Sequence, residues 1–256
     1  MTSPLIPSSE STRDVNPIAG SLHAQTVLVI GRGSGIARAI ALAVRDAGAH
    51  VVAGGRNVDA LAAAYADEPN ISTEVVDVTD DDSITALGGR LGTIDHVVCT
   101  ASARARGRLQ DLTRDAVRAS LDTKVIGPLM LAKHLGPRIN EGGSFVLFSG
   151  AAAFKIAVGT MAVAVTNGAA DTLTRSLAVE LAPIRVNAIS PGVIDTGAWD
   201  ALGDMGKADL FAEQSNHNPA GRIGNVDDIA TAVLFVLTNT FLTGVTLPVD
   251  GGEALT

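Results

Sequence analysis

Three glycines, Gly31, Gly33 and Gly35, follow directly on a short apolar run, Thr26 to Ile30. Glycines at such spacing let a backbone come close to a pyrophosphate. Ile36, Ala39, Ile40 and Ala43 then recur at helical spacing, so free amides at a helix N-terminus would face that charge. Strand, glycine turn, helix is the phosphate-binding geometry of a dinucleotide fold. The five histidines, at 23, 50, 96, 134 and 217, show no metal-ligand spacing with one another or with acids. His217, between Asn216 and Asn218, reads as a solvated residue, and Lys155 as a surface charge.

The elements that would position these groups alternate along the chain. Apolar runs predict strands at 26–30, 50–55, 72–78, 94–101, 143–149, 184–190 and 245–249. Helical patterns lie between them, with Asn57 and Asp80 as N-caps. Two helices are long, Arg114 to Leu135 and Thr160 to Leu181. This alternation implies right-handed crossovers and a parallel sheet covered on both faces. The expectation is an α/β, Rossmann-type, doubly wound sheet of seven strands in the order 3-2-1-4-5-6-7, in one domain from 26 to 256. Residues 1–25, rich in Ser, Thr and Pro, read as a flexible tail or a surface strap.

Composition narrows the function classes. The chain has 256 residues, 46% hydrophobic, with a formal net charge of -8. The acidic balance argues against nucleic-acid binding. No apolar run is long enough to span a bilayer, and no secretory signal is visible. Cys99 is the single cysteine, so a reducing, cytoplasmic setting is expected.

The motif order resembles the short-chain dehydrogenase/reductase family over about residues 25 to 252. Gly31, Gly35 and Ala37 match its Gly-x-x-x-Gly-x-Gly, the last glycine being alanine. Asp77-Val78 resembles its adenine-contacting pair. Arg185-Val186-Asn187, Pro191-Gly192, Thr243-Gly244 and Asp250-Gly251-Gly252 match its later signatures. The resemblance implies cofactor contacts at Arg32, Ser34 and Ile36 in the turn and at Thr100 and Ala101 after the fourth strand. It implies others at Pro191, Gly192, Ile194 and Thr196 after the sixth. The family places an acid at the end of the second strand to hold the two ribose hydroxyls of NAD. Gly55 stands there instead. Arg56 follows, and a guanidinium matches a 2'-phosphate bidentately. NADP(H) is therefore favoured over NAD(H), with Arg56 as a solvated surface residue the alternative.

The resemblance stops at the chemistry. The family's Tyr-x-x-x-Lys pair aligns with Val163 and Asn167, and its serine with Gly150, one residue after Ser149. The only tyrosine, Tyr65, lies far away in the second helix. The family's relay asparagine aligns with Lys124, and its Asn-Asn-Ala-Gly with Cys99-Thr100-Ala101-Ser102. A divergent subgroup lacking the tyrosine is implied. Three readings stay open. The protein transfers hydride to an imine or an activated carbonyl, with Lys124 as substitute acid. It binds cofactor and ligand without turnover, as a sensor or assembly partner. Or it uses the cleft for isomerisation or cyclisation. Lys124, Ser149 and Asn167 are the candidate catalytic residues. Ser149 would contact the substrate, and Asn167 would bond the nicotinamide ribose in place of lysine. Lys124 as a cap on a carbonyl or paired with an acid, and Ser149 as a helix or loop cap, are the alternatives. The variable stretch 194–224 is expected to be the substrate lid. A small-molecule substrate and a homodimer or homotetramer built on the small-residue faces of the two long helices complete the expectation.

Overall fold

The computed structural model describes residues 20–197 and 199–256. Most of the expected tail, residues 1–19, lies outside the described residues. The seven strands are β1 (Thr26–Ile30), β2 (His50–Gly55), β3 (Ile71–Val75), β4 (Ile94–Cys99), β5 (Ile139–Phe148), β6 (Arg185–Pro191) and β7 (Thr246–Val249). They form one sheet in the order β3-β2-β1-β4-β5-β6-β7, with every pairing parallel. That is the expected order. Consecutive residues point to opposite faces, as strand geometry requires. Val27 and Val29 enter one core with Val146 and Ile189, while Leu28 and Ile30 enter the other with Val97 and Phe145.

Helices cover both faces. α1 (Gly35–Asp46), α2 (Val58–Ala64) and α8 (Val226–Thr238) supply Ile40, Leu61 and Val233 to the first core. α3 (Asp81–Leu91), α5 (Gly127–Leu135) and α6 (Met161–Glu180) supply Ile84, Leu131 and Leu177 to the second. Asn57 accepts from Ala60 N and Asp80 from Asp82 N, so both expected caps form.

Several boundaries move. The body begins before residue 26: Leu22 is 1% exposed in the first core, Leu22 N donates to Ala47 O, and Gln25 Oε1 lies 3.0 Å from His96 Nε2. β5 starts at Ile139, since Ile139 pairs with Ile94 across a register shift before the regular ladder begins at Ser144. The first expected long helix is broken. α4 (Arg114–Leu121) passes into a π-helical turn, Asp122–Ile126, and only then into α5. The lid stretch contains a helix, α7 (Gly203–His217), that no apolar stripe announced; none of its residues is buried.

Candidate functional site

The sheet order reverses direction at β1, so the loops after β1 and β4 diverge and leave a crevice at their C-terminal ends. The glycine turn lines it. A Cβ on Gly31 would meet Thr100 Oγ1 and come within 2.6 Å of Ala37 Cβ. Thr100 is itself fixed, its N–H and hydroxyl both donating to Ile30 O at 2.9 Å. Gly35 has φ +57, and Thr196 O would lie 3.3 Å from a Cβ there. Ser34 caps α1 without a side-chain bond, and the first turn holds no acid. The first-turn amides are thus left for an anion. These features fit a dinucleotide pyrophosphate.

Gly55, at the end of β2, packs beneath the same turn. A Cβ there would stand 2.8 Å from Gly31 O, so an acid at this position would force the turn to move. Arg56 is exposed beside it, as is Arg32. Arg56's charge helps hold the Asp77 carboxyl below its ordinary range, after the larger effect of two bonds from Thr79 to Asp77 Oδ1. Val78 is buried, and its carbonyl would be 2.7 Å from a Cβ on Gly127. Pro191 ends β6, and Gly192 follows it, its N donating to Val249 O. Ile194 is buried and bridges Gly224. Ile36, Ala101 and Thr196 lie along the same edge as partly exposed residues or turn backbone.

The three candidate catalytic residues meet at the C-terminal end of β5. Lys124 lies in the π-helical turn, where Gly127 N–H bonds Asp122 O five residues back. Such turns recur at functional sites. Its side chain is 8% exposed. Lys124 Nζ donates to Ser149 O at 2.9 Å and to Asn167 Oδ1. Asn167 Nδ2 donates to Gly150 O at 3.1 Å, and a Cβ on Gly150 would strike that nitrogen at 2.8 Å. Glycine at 150 therefore makes room for Asn167.

Two expectations change in detail. Ser149 does not present its hydroxyl proton to the cleft: Ser149 Oγ donates to Asn167 O at 3.2 Å, and its oxygen is left as an acceptor. Asn167 bonds protein partners at both ends of its amide, Lys124 and Gly150. Lys124, before α5, and Asn167, on α6, are hydrogen-bonded to each other across the two elements.

Burial pushes the Lys124 pKa down to about 7, Arg104 pushes the same way, and Asp171 opposes them. Asp171 is buried one turn beyond Asn167 on α6 and accepts from Thr246 Oγ1 at 3.0 Å. Sequence reasoning missed Asp171. The i, i+4 spacing of Val163, Asn167 and Asp171 was the available signal, since these share one helix face. It also missed Arg104 and Arg106, which alternate with alanines after β4. Val163 is 6% exposed on the same face. Tyr65 caps the end of α2 in the opposite core, its pKa pushed up to about 12, mainly by burial. His217 bonds Glu213 O within its own helix. Lys155 Nζ reaches only Thr256 Oγ1, at 3.5 Å.

Comparisons with known proteins agree with this architecture. Residues 30–253 match the family model described as enoyl-(acyl carrier protein) reductase. Short-chain dehydrogenase/reductase fsr5 of Gibberella fujikuroi is 30% identical over 261 residues, covering 94% of this chain and 97% of that protein. The chain is a short-chain dehydrogenase/reductase. L-xylulose reductase of Mesocricetus auratus, 31% identical, covers 92% of this short-chain dehydrogenase/reductase and 98% of its own length. A solved small-chain dehydrogenase in complex with NADPH superposes with a TM-score of 0.76 at 30% identity, over 91% of this chain and all of that one. Among the described residues, no helix is long and apolar enough to cross a membrane.

Proposed function

We propose that this short-chain dehydrogenase/reductase is an NADP(H)-dependent reductase of an imine or activated carbonyl in a small organic substrate, with Lys124 as its acid. The observation that carries this is the Lys124 ammonium. It has three protons, two of which bond Ser149 O and Asn167 Oδ1, and a pKa near 7 that matches an acid working near neutrality. Arg32 and Arg56 at the 2'-phosphate end, together with the crowding at Gly55, support NADP(H) over NAD(H). The glycine turn, Asp77-Val78, Thr100 and the Pro191 to Thr196 segment would hold the rest of the cofactor.

When bound, NADPH supplies a hydride. The heteroatom of the double bond must also gain a proton, before or together with the hydride. Lys124 Nζ donates its third proton and becomes a neutral amine, which solvent reprotonates. Ser149 O and Asn167 Oδ1 fix the direction of that proton. An imine nitrogen has a basicity close to that of Lys124, so the transfer is balanced before hydride arrives. A simple ketone oxygen is far less basic. The sequence alignment of Val163 and Asn167 with the family's tyrosine and lysine supports the reading as a divergent member. Cys99, buried and with its thiol pKa pushed up to about 11, suits a reducing cytoplasm.

The test combines calorimetric titration with NADPH and NADH and a turnover assay on imine and ketone panels. Tighter NADPH binding and imine reduction lost in Lys124→Met are expected. Full turnover by Lys124→Met would assign the proton elsewhere. Brisk reduction of simple ketones by the wild type would overturn the substrate class.

A further inference from the structure

The segment after β4 runs Ala103-Arg104-Ala105-Arg106-Gly107 and is pinned at three points. Ser120 Oγ, buried on α4 one turn before Lys124, donates to Ala103 O at 2.8 Å. Ala105 is buried. Gly107 N donates to Gly159 O at 3.0 Å, in the loop between β5 and α6. With the alanine between them held inward, Arg104 and Arg106 are both turned out of the core and exposed. Arg106 Cζ lies 5.5 Å from the centre of the Trp199 ring, a distance at which a cation is attracted to the ring face. Trp199 is in turn held by its Nε1 donating to Ile194 O at 2.9 Å, at the start of the lid. Arg104 lies within electrostatic reach of both Lys124 and Arg106.

Two exposed cations thus stand beside the buried Lys124 in a protein of net charge -8. Among the described residues no carboxylate pairs with Arg104 or Arg106. Four arginines elsewhere pair with acids, Arg222 with Asp228, Arg90 with Glu74, and Arg38 and Arg45 with Glu68; what sets Arg104 and Arg106 apart from other exposed arginines such as Arg32 and Arg56 is that a pinned segment holds them two residues apart beside Lys124. Asp171 offsets the charge at Lys124, but Arg104 and Arg106 oppose one another, and a ligand oxyanion relieves that. A guanidinium fork suits a carboxylate or phosphate oxygen pair.

We infer that Arg104 and Arg106 form a substrate anion site, so that the molecule acted on carries an oxyanion, carboxylate or phosphate monoester, near the group that meets Lys124. This rests on the reductase reading for the identity of the reacting group, but not for the binding itself. The adjoining loop exposes Phe154, Ile156 and Val158, so an alkyl body beside the oxyanion has apolar surface to meet.

The test uses hexanoate against hexanamide and hexyl phosphate against hexanol, titrated by calorimetry into the full chain. Emission of Trp199, the chain's only tryptophan, is followed in parallel. The oxyanion of at least one pair is expected to bind more than tenfold tighter than its neutral partner and to shift the emission; which pair does so identifies the anion. Arg104→Met and Arg106→Met should each lose that preference while NADPH binding, which also reports folding, is kept. Equal binding within both pairs, no binding by any probe, or a preference that survives both variants would overturn the anion site. Anion preference without NADPH oxidation on any substrate panel would overturn the reductase reading alone.

Discussion

Lys124→Met removes the ammonium and keeps most of the stem. In the folded chain Lys124 holds its proton only up to about pH 7, against an ordinary value of 10.5. Between those values the unfolded chain binds more protons, so stability rises with pH. The unfavourable contribution is fully present below pH 7 and disappears above about pH 10.5. Linkage over this gap makes the wild-type gain about 2 kcal/mol between pH 7 and pH 9. The methionine variant should lack that gain. It also leaves Ser149 O and Asn167 Oδ1 without their donor, which shifts its whole curve by about 1–3 kcal/mol per group without changing its slope. Urea unfolding at pH 7, 8 and 9, followed by Trp199 fluorescence, isolates the term as the difference between the two proteins, because other titrating groups cancel. Parallel curves would refute the reasoning, since Lys124 would then keep its ordinary pKa. The same titration governs turnover: imine reduction should fall about tenfold per pH unit well above pH 7 as the acid loses its proton.

Arg56→Asp should weaken NADPH binding more than tenfold and favour NADH relatively, a charge-assisted contact being worth about 1.5–3 kcal/mol; unchanged affinities in calorimetry would make Arg56 a solvated charge. Ketone reduction should rise by about 10²–10⁴ in a triple variant, Lys124→Asn with Val163→Tyr and Asn167→Lys. The Lys124→Asn change is needed because lysine at 167 would otherwise face the Lys124 ammonium, and a steady-state assay showing no gain would mean that the nicotinamide is held differently from the rest of the family. Self-association through the faces of α4, α5 and α6 should appear as a dimer or tetramer in light scattering, and a monomer at micromolar concentration would count against it.

The layered fold was legible because each strand and most helices carry their own periodicity. Val27 to Ile30 and Phe145 to Leu147 alternate between two cores, and the glycine turn marks the crevice. What was not legible depends on distance in space. α7 buries nothing, so its sequence carries no stripe to read. Leu22 looks like tail because only the packing of residues remote in sequence, Ala47 among them, makes it core. Lys124, Ser149 and Asn167 could be singled out from the family resemblance, but that Ser149 turns its hydroxyl to α6, and that Lys124 and Asn167 are bonded to each other, required the folded geometry. Arg104 and Arg106 gained meaning only once Trp199 and Lys124 stood beside them.

The π-helical turn makes tolerance of chain length local to one place. Its hydrogen bond closes five residues back instead of four, so its five residues cover about the rotation that four cover in a regular helix. Deleting one residue from Asp122–Ile126 would therefore close the turn to a regular helix and leave α4 and α5 close to their present phase, at the expense of where Lys124 points. Ser120 would keep its bond to Ala103 O, and Leu131 and Leu135 their burial. Deleting one residue between Gly127 and Leu131 is different: regular helix has no wide turn to absorb the loss, and the two halves would rotate by about 100° against each other. Gly127 against Val78 O and the buried Leu131 and Leu135 could not then all keep their places.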